Sequence, residues 1–445
     1  MNHATLSLDR RTLLALILML LLAGELFAQK KLSSTEQGIR TWIHNNRENQ
    51  IEHLAQAVNI PSGTLNLPGV RRMAEFYRAT LDSLGFTTRW IPMDSVKRSG
   101  HLIAEHKGKP GMKTILLLGH LDTVFEREGP GWLRQDSVGR GPGSNDMKGG
   151  NAVLLYALKA LAHAGVLRDA NVIVFFTGDE ESVGRPLDVA RRDMVEAAKR
   201  SNVALSFEGG SMRNATVARR GASGWRLEVT AQQGHSSGIF RPSAGYGAIY
   251  EAARIVNEFR LRLSGVPYLT FNPGIIAGGT DVEIDSSGTI AHAEGKSNII
   301  APRAYVSGDL RFITNAQLDS VRQVMRDIVA ASLPGTNATI TFQDGYPAMA
   351  PTEANYRLLA QYSEVSEALG YGPVLPLDPG QRGAGDIAFI ADLVPQALDG
   401  LGVSGTGAHS PDERVFLNSL PMQTERAAVL IYRLSRQPST RTKAN

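Results

Sequence analysis
Apolar and polar positions follow two different rhythms along this chain. From Ser33 to Thr80 the pattern is helical, broken by the loop residues "IPSGTLNLPG". "TILLLGHLD" (114–122) is then a short, continuous apolar run stopped by Gly119. "NVIVFFTG" (171–178) and "NVALSFEGG" (202–210) are runs of the same kind. Runs of this length and evenness fit strands buried on both faces. A Gly-rich loop, "GRGPGSNDMKGG" (139–150), leads into "NAVLLYALKALAHAG", which reads as a helix ending at Gly165. Strands alternating with helices predict an α/β fold around a mixed, largely parallel sheet flanked by helices.

Near Arg220 the rhythm changes. "GWRLEVTAQ" alternates apolar with polar, as a half-exposed antiparallel strand does. A helix follows at about 245–263, then strands around "YLTFNPGIIAGG" and "IIAPRAYVSGDLRF". A helix ("AQLDSVRQVMRDIVAASL") and a strand ("ATITFQDG") complete the series. This βαββαβ order predicts a small ferredoxin-like α+β unit. From Pro351 short helix and strand segments resume, so the middle unit reads as an insertion in one α/β domain. The expected boundaries are 29–219 and 346–445 for the two halves of the catalytic domain and 220–345 for the inserted lid. The polar tail "RQPSTRTKAN" is expected to fray.

Composition then narrows the chemistry. Hydrophobic residues make up 42% of the 445, enough for a sizeable core. Lys and Arg number 47 against 43 Asp and Glu, with no dense basic run, so nucleic acid is not an expected partner. Cysteine is absent, which excludes disulfides, thiolate metal sites and thiol catalysis. Any metal must be held by His, Asp and Glu. At the N-terminus, Arg10 and Arg11 precede an apolar run from Leu13 to about Ala23, with small residues near Ala28. Residues 1–28 read as a signal peptide, loosely of the twin-arginine type, for a periplasmic or secreted protein. The alternative reading of the same run is an uncleaved membrane anchor.

Against this background the acids stand out. Each continuous apolar run ends in polar residues able to bind a metal: His120 and Asp122, then Glu180 and Glu181, then Glu208. In open α/β sheets, sites form beyond the carboxyl ends of the strands. His120 and Asp122 are two apart, so on extended backbone both point the same way, which suits an imidazole on a metal with a carboxylate behind it. Asp146, before a helix, reads equally as an N-cap. The glycines at 149 and 150 go beyond capping; they cost helix stability and permit close backbone approach. His409 lies in a Gly- and Pro-bounded loop, where a histidine is ordinarily unremarkable in function. "GHSSG" (234–238) satisfies the pattern of a serine-hydrolase nucleophile elbow with Ser236 as nucleophile. An alternating strand before it, and "IFRPSAG" before the next helix, speak against that reading.

Seven segments in order, "GHLDTVF", "GPGSNDMKGG", "FTGDEESVG", "FEGG", "GHSSG", "NIIAPRAYVSGDLRF" and "GAHSPDERV", give the chain a resemblance to the di-zinc metallopeptidase family of glutamate carboxypeptidases and aminoacylases. The resemblance implies a catalytic α/β domain carrying an inserted lid that often dimerises. It implies two zinc ions per chain bridged by Asp146, with His120 and Glu208 on one and Glu181 and His409 on the other. Glu180 is then the general base and Asp122 the partner of His120. His235 matches a lid histidine that reaches the active site of a second copy in several dimeric members, and Asn298 and Arg311 match lid positions that bind substrate in some. Asp179 takes no role and is expected to be a turn residue. Arg219, Arg220, Arg241 and Arg311 could each meet a substrate carboxylate.

The function expected is hydrolysis of a peptide or linear amide bond, as a glutamate carboxypeptidase-like enzyme releasing a C-terminal amino acid. The alternatives are an N-acyl amino acid deacylase, a serine esterase acting through Ser236, and a non-catalytic metal-binding protein. A small peptide or N-acyl amino acid is the expected substrate, and a second copy of the chain, joined through the lid, the expected partner.

Overall fold
The structure, a computed structural model, describes residues 31–127, 129–285 and 288–439. The expected signal peptide and the end of the tail lie outside the described residues. Among those residues, no helix is long and apolar enough to cross a membrane.

Three helices open the chain: α1 (Ser34–Asn45), α2 (Arg47–Val58) and α3 (Leu67–Ser83). Ser33 starts α1 through a reciprocal capping box with Glu36, satisfying two orphan amides. Strands β1 (Thr87–Met93), β2 (Arg98–His106) and β3 (Thr114–His120) follow, then helix α4 (Lys148–His163) and β4 (Asn171–Thr177). Helix α5 (Arg192–Lys199) leads to β5 (Val203–Ser206). Next comes an antiparallel unit of β6 (Gly221–Ala231), α6 (Ala248–Leu263), β7 (Thr270–Gly279), β8 (Arg303–Phe312), α7 (Asn315–Ala330) and β9 (Thr336–Asp344). Helix α8 (Glu353–Ala368), strand β10 (Gln396–Leu398) and helix α9 (Ser419–Ser435) close the chain.

The main sheet has the order β1-β2-β4-β3-β5-β10. Its β4–β3, β3–β5 and β5–β10 pairings are parallel, whereas β1 and β2 add antiparallel. The sheet is therefore mixed and mostly parallel, as expected. Alternation along β3 fills both faces: Ile115 and Leu117 enter one apolar cluster, with α1–α4, α8 and α9, and Leu116 and Leu118 enter the other, with α5. The second sheet, β7-β8-β6-β9, is wholly antiparallel and has its own core. In it Trp225, Leu227 and Val229 meet Phe259, Val321 and Met325 from α6 and α7. This is the expected βαββαβ unit with one addition. A hairpin, Asp281–Ile284 with Ala291–Glu294, interrupts it between β7 and β8.

Strands β5 and β10 pair directly although the whole antiparallel unit lies between them in sequence. The two crossing segments run side by side, Arg219 and Met349 exchanging backbone hydrogen bonds of 3.0 Å in both directions. Helix α4 begins at Lys148 and so contains both glycines. A Cβ at Gly150 would fall 1.8 Å from the Phe207 carbonyl oxygen, and one at Gly149 would fall 2.5 Å from that of Ser144. The helix thus lies against the end of β5 more closely than any side chain allows. That contact offsets the roughly 1 kcal/mol per glycine lost in helix propensity, and it brings the Asp146 loop over Glu208.

Candidate metal centre
The cluster gathers at the carboxyl ends of β3, β4 and β5. His120 is the last residue of β3 and 2% exposed. Its Nδ1 lies 2.9 Å from the Asp122 carbonyl oxygen. A carbonyl can only accept, so Nδ1 carries the proton and Nε2 faces the acids. That Nε2 is 3.3 Å from Asp146 Oδ1 and 3.8 Å from Glu208 Oε1. From the opposite side His409 Nε2 stands 3.2 Å from Asp146 Oδ2 and 3.1 Å from Glu181 Oε2. Asp146 therefore offers one oxygen to each of two groups, His120/Asp146/Glu208 and Asp146/Glu181/His409. Within each group the ligand atoms all lie within 4.8 Å of one another. A third grouping, His120/Glu180/Glu181, meets the same limit. Glu181 Oε1 is buried without any hydrogen-bond partner, an orphan that a cation would satisfy.

Crowding sets the electrostatics. Burial, with Asp146 and Asp122 adding repulsion, pushes the Glu181 carboxyl up to about 8. Burial and Asp146 take Glu208 up to about 7. Glu180 rises well above the usual carboxylate range through burial and then Glu208. Burial opposes charge on Asp146 as well, yet bonds to the His120 and His409 imidazoles hold it well below the ordinary range. Its bond to Asp146 takes His409 up to about 9. For His120, burial disfavours the imidazolium, but Asp122 and Asp146 outweigh it and raise the pKa well above that of free imidazole. Four carboxylates and two imidazoles in one pocket form an N/O donor set that fits a divalent ion of the zinc type.

Asp122 does more than orient one ring. Strand β3 ends at His120, so Asp122 sits just past it, yet its carboxylate lies on the same side as the His120 ring, as expected. Its Oδ1 lies 3.4 Å from His120 Nδ1 and accepts from the Glu180 amide at 3.1 Å. Its Oδ2 accepts from the Glu181 amide at 3.1 Å and the Thr64 hydroxyl at 2.7 Å. One carboxylate thus fixes both adjacent glutamates. Tyr346, just past β9, donates to the Glu180 carbonyl oxygen at 2.6 Å.

Asp179 is not a plain turn residue. It is wholly buried, paired with Arg191 at 2.6 Å, and accepts from the Gly184 amide at 2.8 Å. Arg191 also pairs with Asp386 at 2.8 Å, and Asp386 accepts from Thr177 at 2.5 Å. This network pins the loop carrying the two glutamates. Arg191, Asp386, Thr64, Tyr346 and Glu413 all escaped the sequence reading. Only Glu413 carried a signal, as a charged residue in the His409 loop. Arg219, considered for a substrate carboxylate, is committed to the buried Asp399 and to the Gly383 and Ala384 carbonyls.

The lid residues are placed differently. His235 pairs with Ile299 in a two-residue ladder, and the Ser236 amide donates to the Asn298 carbonyl, so His235 and Asn298 are neighbours. Arg311 lies near the other end of β8, its Nε 2.8 Å from Asp309. From Arg303 to Arg311 an extended strand covers roughly 25 Å. Ser236 begins a single tight turn, Ser236–Gly238, and the next helix starts only at Ala248. The ring of His235 bonds Ser237 at 2.9 Å, so that histidine is engaged with the following serine and the geometry of an elbow is missing.

Comparison with known proteins places this arrangement. The model of Peptidase family M20/M25/M40 matches residues 116–433. Carboxypeptidase G2 of Pseudomonas sp. (strain RS-16) is 28% identical over 438 residues, covering 96% of this chain and 98% of that protein. The crystal structure of aminopeptidase PepT from Bacillus cereus superposes with a TM-score of 0.70 at 18% identity, covering 88% of this chain and 99% of that one. The Bacillus subtilis YXEP protein, described as a dinuclear metal binding peptidase, superposes with a TM-score of 0.60 at 15% identity, covering 87% and 98%.

Proposed function
The chain belongs to peptidase family M20/M25/M40, and from that premise we propose that it is a zinc-dependent exopeptidase of the carboxypeptidase type. The observation that carries the reading is Asp146, whose two oxygens face two separate ligand groups. In this reading His120, Asp146 and Glu208 hold one ion, and Asp146, Glu181 and His409 hold the other. Two such ions supply polarisation of the scissile carbonyl and a water that ionises near neutral pH. Glu180 takes the proton of the attacking water as the C–O bond forms, and delivers it to the departing amine nitrogen when the C–N bond then breaks. Asp122 holds both glutamate amides and the His120 ring while this happens.

The lid supplies what the strand ends lack. Residues at opposite ends of β8 do not meet one small substrate in the same chain, so His235 and Asn298 work in a second copy's site and Arg311 in its own. That arrangement makes the active form a homodimer. His235 donates a hydrogen bond to the oxyanion of the tetrahedral intermediate. Export to the periplasm or beyond belongs to the same proposal and rests on the N-terminal apolar run.

The test is a hydrolysis screen of dipeptides and N-acyl amino acids, with zinc added to metal-free protein. Release of a C-terminal amino acid is expected, lost with chelator and lost when the substrate's free carboxylate is amidated. No hydrolysis after zinc reconstitution, or equal cleavage of amidated substrates, would sink the carboxypeptidase reading.

A further inference from the structure
Glu413 stands four residues after His409 and is 2% exposed. Its carboxylate accepts three backbone amides of the facing loop, Gly143 on Oε2 and both Asn145 and Asp146 on Oε1, each at 2.8 Å. Its own carbonyl accepts the Gly141 amide at 3.4 Å. No Lys, Arg or His forms an ion pair with it among the described residues. Lys148, whose charge interacts with it, gives its Nζ to the Ile60 carbonyl instead. A buried carboxylate satisfied by amides alone is a geometric clamp, because the loop must present three N–H groups to two oxygens at once. The clamp joins the segment that ends in Asp146 to the segment that carries His409, whose side chain is 57% exposed.

We propose that Glu413 is the positioning residue of the second ion's site: it sets the separation of Asp146 from His409 and so determines how tightly the Asp146/Glu181/His409 group binds. The inference rests on the two-ion reading above. The His120/Asp146/Glu208 group is built on β3 and β5 and feels the clamp only through Asp146. Glu413→Gln keeps the shape but turns one acceptor into an NH₂ facing an amide. Glu413→Asp keeps the charge but draws it back by one methylene.

The experiment is titration of metal-free protein with Zn²⁺ by calorimetry, paralleled by Co²⁺ absorption, together with thermal unfolding in chelator. Wild type binding fewer than two ions would remove the two-ion reading itself. With two ions in wild type, both variants are expected to keep one near wild-type affinity and to bind the other about 10- to 100-fold more weakly, the usual scale for residues that orient ligands. A modest drop in the metal-free melting temperature is expected alongside, from the buried amide left without an acceptor. Two wild-type affinities in either variant would overturn the proposal. So would a lowered metal-free melting temperature with both affinities intact, since Glu413 would then serve only the fold.

Discussion

His120 and His235 are the same residue type in two regions held by opposite means. His120 closes a buried strand, and its ring is fixed by Asp122, itself fixed by Thr64 and two amides. His235 sits on an exposed two-residue strand, and among the described residues its ring bonds the Ser237 hydroxyl and amide. His120 is held by a buried network, whereas His235 is held by contacts within its own exposed turn. Precise placement of ligands belongs to the first kind of region; in the proposed dimer, dependence on a partner belongs to the second.

The sharpest test of this contrast is Glu180→Gln. The variant is expected to keep near wild-type metal content in elemental analysis while turnover falls by about 10² to 10⁴. Metal loss in that variant would instead place Glu180 among the ligands, in the His120/Glu180/Glu181 grouping that the geometry also allows.

His235→Ala probes the other side. Alone it is expected to lose about 10²- to 10³-fold in turnover, the scale of one oxyanion donor, with metal content unchanged. Mixed with Glu180→Gln chains, it should recover activity up to about a quarter of wild type for random pairing of a symmetric dimer. A verified mixed dimer with no recovery would confine His235 to its own chain.

A separate effect, on metal affinity and not on turnover, is in pH. Without a cation, Glu208 at about 7, Glu181 at about 8 and His409 at about 9 hold protons near neutrality. These protons must leave when metal binds, so zinc affinity should rise with pH from 6 to 9, by about tenfold per pH unit for each proton released. Calorimetry in buffers of different ionisation enthalpy measures that release directly. His235→Ala should leave the release unchanged, and Glu181→Gln should reduce it.

The sequence reading reached furthest where the backbone pattern and the chemistry coincide. Continuous apolar runs marked β3, β4 and β5, and the residues just past them are the ones the structure brings together. The change to alternation near Arg220 marked β6 and the start of the antiparallel unit. Less legible were contacts that join distant segments. Arg191 pairs with acids on either side of it, Asp179 nearby and Asp386 far along the chain, and no periodicity announces such an ion pair. Glu413 looked like one more charge in a polar loop, because its partners are backbone amides and amides leave no trace in residue type. The hairpin of Asp281–Ile284 and Ala291–Glu294 buries too little to imprint an apolar rhythm.

The parallel pairing of β5 with β10 also governs the order in which the chain can fold. Synthesis proceeds from the N-terminus, so β5 is finished while its neighbour is still unmade, and its outer edge stays open. An unpaired edge of apolar residues invites aggregation. The intervening unit has its own core and can collapse first, and its two ends emerge side by side at Arg219 and Met349. A long, costly loop closure is thereby replaced by a short one, since closure entropy grows with the length of free chain. The insertion acts as a built-in clip that delivers β10 to the waiting edge.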